Sequence, residues 1–332
     1  MRFLKKKSDG IVPIQKSLFP KLGNLTASAL ILVGLAADLQ AQTTYCDNFN
    51  DGNDTLPIPA WMHYDPLAIL PNGGGTWSFP GSNTYRLQAP VSPDFGNYGQ
   101  ARIGSIRSEN YTNFYVSVDV INWDDTLHQF CGVAGRLATV GLGTTTGYLF
   151  GHDRGDPSSS TGGDMDIVRI DNEFPFDLDP SGVMDGIHLV PGKSYRFVLI
   201  GIGAELTGKV YELPDTGNPV VNYTVTDDTY PSGVAGIIVA DNSSAGDGAA
   251  DMTFDNFLAT TAEPVLSATN SSGAVQISWP IIPFTFQGTP SLTPPVLWTD
   301  ITTGISQVGD QNVYTVQAPS GDRYFRLTRP CP

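Results

Sequence analysis

Asp164 and Asp166 come nearest to a hydrolytic pair in this chain. They sit in Asp164-Met-Asp-Ile-Val-Arg169. In a strand, a period of two places both carboxylates on one face, about 7 Å apart, and Arg169 on the other. Two carboxyl groups flanking a glycosidic bond are what glycoside hydrolysis needs. An arginine close to them would lower their pKa values, which works against a proton donor at neutral pH. The plainer reading is a polar strand edge. The four histidines, His63, His128, His152 and His188, lie in neither a G-x-S-x-G nor an H-E-x-x-H context. The run His152-Asp-Arg-Gly-Asp156 reads as a polar loop, either at a site mouth or simply solvated.

Two Asp-rich stretches, Asp47–Asp54 and Asp241–Asp251, carry the hard oxygen donors that calcium takes. Neither fits an EF-hand loop: with Asp241 aligned first, Ala245 and Met252 fall on ligand positions. Asp241 and Asp247 remain candidate ligands of a structural calcium, against ordinary turn-forming roles. Sugar recognition needs aromatic faces beside polar groups. Asn122-Trp-Asp-Asp125 supplies an aromatic at a strand end, and Arg136, Tyr148 and Arg169 lie on neighbouring candidate strands. Together with Trp123 they could line one sheet face, against the alternative that each is structural.

The elements that would position these residues are strands. Phe114-Tyr-Val-Ser-Val-Asp-Val120 alternates apolar residues, as does Ser194-Tyr-Arg-Phe-Val-Leu-Ile200. Further segments at 132–137, 148–151, 165–170, 208–212, 220–225, 234–240 and 252–259 are separated by Gly, Pro, Asn and Asp. No convincing helix is present. Many short strands at this spacing predict an all-β, antiparallel jelly-roll sandwich. A boundary falls at Ala262-Glu-Pro264. Beyond it, segments at 275–279, 298–301, 313–316 and 324–327 predict a small β-module over 265–330.

Three pieces of the first domain give a resemblance. Asp47-Asn-Phe-Asn-Asp-Gly52 opens it and Phe254-Asp-Asn-Phe257 closes it. Between them lie Gly192-Lys-Ser-Tyr-Arg-Phe-Val-Leu-Ile200 and Leu206-Thr-Gly-Lys-Val-Tyr-Glu-Leu213. Together they resemble the laminin-G/concanavalin A-like superfamily of jelly-roll lectin and glucanase domains over about 43–261. The resemblance implies that the first and last strands lie side by side. By analogy with calcium sites that join those strands, it implies Asp51 and Asp255 as metal ligands. Laminarinase-type members carry an E-x-D-x-x-E strand. Here Asp164 and Asp166 match two carboxylates and Arg169 replaces the third, so the resemblance implies binding before hydrolysis. The tail, with Ile277-Ser-Trp-Pro280, Trp298 and Tyr324-Phe-Arg-Leu327, is similar to short C-terminal β-modules on exported proteins of environmental bacteria such as Verrucomicrobia.

The first 41 residues set the address. Lys5, Lys6, Lys7, Lys16 and Lys21 precede an apolar run, Leu25–Ala37, and the small-residue pattern Leu39-Gln-Ala41. That predicts a secretory signal peptide. The run is too short for the roughly 20 residues that span a bilayer. Removal of 41 residues from 332 leaves 291. The net charge of −15 becomes −19, because the leader carries +4. Only 12 Lys and Arg then face 31 acids, which argues against nucleic acid and anionic lipid as partners. Of three cysteines, Cys131 lies in an apolar stretch, while Cys46 and Cys331 sit near the two mature ends. A bridge between those two and a chain without one are both open. The sequence thus predicts an exported two-module β-protein, secreted, periplasmic or on the cell surface. Its partner would be a polysaccharide or cell-surface glycan; a divergent glycoside hydrolase and a purely structural surface protein are the alternatives.

Overall fold

The computed structural model describes residues 44–56, 59–156, 162–179, 186–243, 245–246, 248–271, 274–317, 323–328 and 331. The signal peptide read at 1–41 and the candidate ligand Asp247 lie outside them. Among the described residues, no helix is long and apolar enough to cross a membrane.

Among the described residues, fifteen strands build the first module. In chain order they are β1 (Tyr45–Asp47), β2 (Met62–Tyr64), β3 (Thr76–Ser78), β4 (Tyr85–Ala89), β5 (Arg102–Tyr111), β6 (Phe114–Trp123), β7 (Gln129–Ala138) and β8 (Thr146–Asp153). They continue with β9 (Asp164–Asp171), β10 (Phe174–Asp177), β11 (Tyr195–Ile202), β12 (Glu205–Glu212), β13 (Val221–Thr226), β14 (Gly233–Asp241) and β15 (Ala250–Thr260). One sheet runs β13-β12-β11-β6-β15-β4-β3, with β1 also pairing β15. The other runs β10-β9-β8-β7-β14-β5-β2. Every pairing is antiparallel, and the only α-helix among the described residues is the single turn Phe95–Tyr98. The first and last strands of the sandwich are neighbours: Tyr45 lies opposite Ala259 and Asp47 opposite Phe257.

Alternation sets the core. Val116, Val118 and Val120 of β6 and Phe197 and Leu199 of β11 are fully buried between the sheets. Val133 of β7, Phe150 of β8, Ile167 of β9 and Ile237 of β14 meet them from the other sheet. The interior also takes polar side chains. Arg107 lies 3.3 Å over the Tyr45 ring and pairs with Glu109. Tyr45 and the Trp61 indole both donate to Asp47.

Seven strands follow the sandwich: β16 (Ser267–Ser271), β17 (Ala274–Pro280), β18 (Thr285–Thr289), β19 (Thr299–Asp300), β20 (Ile305–Val308), β21 (Gln311–Gln317) and β22 (Tyr324–Thr328). They make two small sheets, β16-β17-β21-β20 and β19-β18-β22, which share no strand with the sandwich. Ile277, Trp279, Phe286 and Val316 form their core, with Trp279 and Phe286 stacked at 4.3 Å. That core is small, and the module has two further attachments. Phe284 packs against Tyr115, Val198, Ile200 and Leu258 on the outer face of the β6-containing sheet. Cys46 on β1 is disulfide-bonded to Cys331. Cys131 is buried and free. The outer face of the β7-containing sheet is on the opposite side of the sandwich, and it carries the candidate site.

Candidate functional site

Register places one residue from each of six strands in a line across that outer face. In the order β2, β5, β14, β7, β8, β9 these are Tyr64, Gly104, Ile238, Gly132, Gly151 and Asp166. The glycines hold the floor low. A Cβ on Gly132 would stand 2.3 Å from the Phe150 carbonyl oxygen, and one on Gly151 would stand 2.0 Å from that of Cys131. Both contacts are with backbone, so neither position has room for a side chain.

The sheet curls over this floor. The turn between β9 and β10 brings Glu173 across the face to the far strands. Arg102 on β5 donates to Glu173 from Nε (3.0 Å) and Nη2 (2.8 Å). Tyr64 on β2 also donates to it, as does the Gly143 amide from the β7–β8 loop. The Glu173 amide donates to the Thr145 carbonyl at 2.8 Å. Beneath this strap lies a second apolar cluster of Tyr64, Ile106, Ala134, Leu137 and Ile238, buried although it belongs to the outward face. Burial opposes ionisation of Glu173, but the hydrogen bonds from Arg102, Tyr64 and Gly143 outweigh it and hold the carboxyl below its ordinary range. Burial, and then the Glu173 charge, push the Tyr64 phenol up.

Beside the strap is a cavity of about 320 Å³. Its floor is aliphatic and aromatic, with Phe130, Leu149, Val168 and Ile238. Its walls carry Asp166, Asp177, Asp241, Gln100 and Asn242. Asp177 on β10 lies opposite Val168, so it is the diagonal neighbour of Asp166 across the β9–β10 pair. Diagonal neighbours stand about 7–8 Å apart. Asp241 is buried and accepts hydrogen bonds from the Ser243 amide (2.8 Å) and hydroxyl (3.0 Å). Asn242 donates to Asp153.

Three residues read as sugar contacts are elsewhere. Arg136, Tyr148 and Arg169 do share a sheet face, but it is the inward one. Arg136 is 1% exposed and donates to the carbonyls of Thr112, Tyr230 and Gly203. Tyr148 is fully buried and donates to Asp227 at 2.6 Å. Arg169 pairs with Asp171 and Asp227. These side chains close one end of the sandwich, so they are corrected to structural roles. Burial works against the Asp227 charge, yet Tyr148, Thr229 and Arg169 hold its pKa down at about 2.

Trp123 is half-buried at the end of β6 and does not line the cavity. Its indole donates to Asp125 at 3.2 Å, and Arg154 donates to the same carboxylate at 2.7 Å. The two polar loops noted in the sequence therefore meet each other. His152, beneath them, is buried, which holds its pKa at about 4.

Asp166 and Asp241 are thus brought to one cavity. Asp164 lies on the same face of β9 and accepts from the Gly186 amide. Asp51 accepts from the Asn53 amide and Asp255 from Asn256. Among the described residues, no group of three His, Cys, Asp or Glu is placed to hold a metal ion. Tyr64, Gln100, Arg102, Glu173, Asp177 and Asn242 were not read from the sequence. Only Asp177 carried a signal, as an acid following the strand of Asp164 and Asp166.

No protein-family model matches the chain, and no curated protein sequence matches it. Solved structures do resemble it. The carbohydrate binding module CBM66 from Bacillus subtilis is 14% identical at a TM-score of 0.41, over 60% of this chain and 94% of that one. The GH43 protein BlXynB from Bacillus licheniformis is 14% identical at 0.42, over 65% and 39%. The VIP36 exoplasmic/lumenal domain in its Ca2+-bound form is 11% identical at 0.40, over 65% and 89%.

Proposed function

We propose that this protein is exported and binds carbohydrate in the cavity beside the Glu173 strap. The observation that carries this reading is the pairing of an apolar floor with a polar rim. Phe130, Leu149, Val168 and Ile238 offer C–H surface to a sugar ring, and Gln100, Asp166, Asp177 and Asn242 offer hydrogen-bonding groups to its hydroxyls. A few placed polar groups over an apolar lining are the usual make-up of a small-ligand site. The Cys46–Cys331 pair supports export, because disulfides persist in oxidising compartments.

Retention of the mature protein on insoluble polysaccharides tests the reading. At least one polysaccharide should retain it, and the double variant Gln100→Ala/Asn242→Ala should lose most of that retention. Trp123→Ala should leave it unchanged. Absence of retention on every polysaccharide tried would end the proposal.

A second reading has one observation in its favour. Asp166 and Asp177 face the same cavity at a diagonal spacing of about 7–8 Å. Inverting glycosidases hold their two carboxyl groups roughly 6.5–9.5 Å apart. Release of reducing sugar that both Asp166→Asn and Asp177→Asn abolish would make the protein a hydrolase.

A further inference from the structure

Resting on the carbohydrate reading of the same cavity, we infer that its ligand is a glycan without acidic groups, and that polyuronates are excluded by the cavity's own charges. Among the described residues, four carboxylates line it, Asp166, Glu173, Asp177 and Asp241, with one guanidinium, Arg102. Ionised, they sum to −3. An acidic sugar would need a donor with positive charge to hold its carboxylate, and a bidentate arginine is the usual means. Four of the five Arg102 N–H donors are already committed, which leaves at most one and rules out a bidentate grip. Nε and Nη2 are given to Glu173, and Nη1 to the carbonyls of Tyr98 (3.1 Å) and Gln100 (2.7 Å).

Among the described residues of the sandwich, the other cations are committed elsewhere. On the same sandwich, Arg86 is held by Asp251, Arg107 by Glu109, Arg154 by Asp125 and Arg196 by Asp119. Lys193 and Lys209 lie on the opposite sheet and pair with Glu212 and Glu263. Arg136 donates to backbone carbonyls, and Arg169 is held by Asp171 and Asp227. A uronate entering the cavity would lose its hydration and meet a lining of net negative charge, which carries a large desolvation penalty. A neutral sugar hydroxyl, by contrast, can donate to Asp166 or Asp177 and accept from Gln100 or Asn242.

The whole mature chain is also strongly acidic, so exclusion by the cavity must be separated from exclusion by net charge. Asp177 is exposed at the rim, and Asp177→Lys changes the net charge of −19 by only two while reversing one wall of the cavity. Affinity electrophoresis of the mature protein in gels containing a β-glucan, a mannan or a xylan is compared with gels containing alginate or polygalacturonate. Chelator is present to prevent ion bridging, and salt is low because charges beyond about 10 Å are screened at 0.1 M. The expected result is retardation by at least one neutral polymer, with apparent affinity at least tenfold above that for either acidic one. Asp177→Lys should gain retardation by an acidic polymer. Wild-type retardation by alginate or polygalacturonate within tenfold of the best neutral polymer overturns the inference while leaving carbohydrate binding in place. Unchanged exclusion in Asp177→Lys also overturns it, by assigning exclusion to net charge. No retardation by any polymer removes the inference together with the reading it rests on.

Discussion

Arg102 and Glu173 meet across the width of a sheet. Arg102 sits on β5, next to the β2 edge, and Glu173 at the turn joining β9 to the opposite edge strand β10, yet they share two hydrogen bonds of 3.0 and 2.8 Å. Both side chains are largely buried, at 16% and 9% exposure. The pair ties the curl of the sheet shut, covers the apolar cluster around Ile238, and forms one wall of the cavity.

Truncating one partner leaves the other charge buried and uncompensated, a loss of about 3–5 kcal/mol in comparable pairs. Glu173→Ala should therefore lower the denaturant midpoint strongly and expose Ile106 and Ile238 to solvent. Arg102→Met with Glu173→Leu, which removes both charges, should recover most of the stability without restoring sugar retention. A single Glu173→Ala variant as stable as wild type would show that the strap does not hold the sheet.

Strand identity was legible where polarity alternates. β6 and β11 read directly from Phe114, Val116, Val118 and Val120 and from Tyr195, Phe197 and Leu199, because Ser117, Asp119 and Arg196 break the apolar run, although Tyr115, Val198 and Ile200 on the other face are also buried. β10 was missed: Phe-Pro-Phe-Asp is short, contains a proline, and is exposed throughout. The site was hidden for a different reason. Both faces of the β7-containing sheet are covered, so alternation cannot say which face points inward. The inner face carries Arg107, Arg136, Tyr148 and His152, and the outer face carries Ile106, Ala134, Leu149 and Ile238. Val133, Phe150, Ile167 and Ile237 share the inner face, so hydrophobicity marks both faces, and Arg136, Tyr148 and Arg169 read as a surface. Glu173 is 71 residues from Arg102 and 109 from Tyr64. No local pattern encodes a contact set by the curl of a whole sheet.

His152 should make stability depend on pH in a definite window. Burial lowers its folded pKa to about 4, against about 6.5 in an unfolded chain. Between those values the unfolded state binds more protons, so stability rises with pH from about 4 to about 6.5. The full effect is up to about 3 kcal/mol at 1.36 kcal/mol per pKa unit. Urea unfolding measured across that range should show the slope, and His152→Gln should flatten it. Glu173 adds acid lability of its own: its contribution is present above its unfolded pKa and is lost as pH falls through the lower folded one.

The cysteines give a chemical check on the C-terminal module. In the native mature protein no thiol should react with a maleimide, because Cys46 and Cys331 are bonded and Cys131 is buried, with its pKa pushed up to about 12. In denaturant one thiol per chain should react, and after reduction three. Cys331→Ser should lower stability by about 2–4 kcal/mol, the usual worth of a native bridge. A thiol titre of three without reductant would contradict the pairing.

Removal of calcium is the last test. Calcium takes six to eight oxygen ligands. Asp241 accepts from the Ser243 amide and hydroxyl, and Asp51 and Asp255 each accept from a nearby backbone amide. A metal at any one of them would use the carboxylate lone pairs these bonds leave and recruit further oxygen ligands. If the 47–54 or 241–251 stretch holds calcium, excess chelator should lower the melting temperature of the mature protein by several degrees; a change within about a degree would remove the site. A ligand bound only to the native state stabilises by mass action, so a fall of several degrees that calcium restores would mean a site is present. Asp247→Asn would then show whether it is built on the 241–251 loop: loss of the calcium response in that variant would place the ion there, and an unchanged response would place it elsewhere.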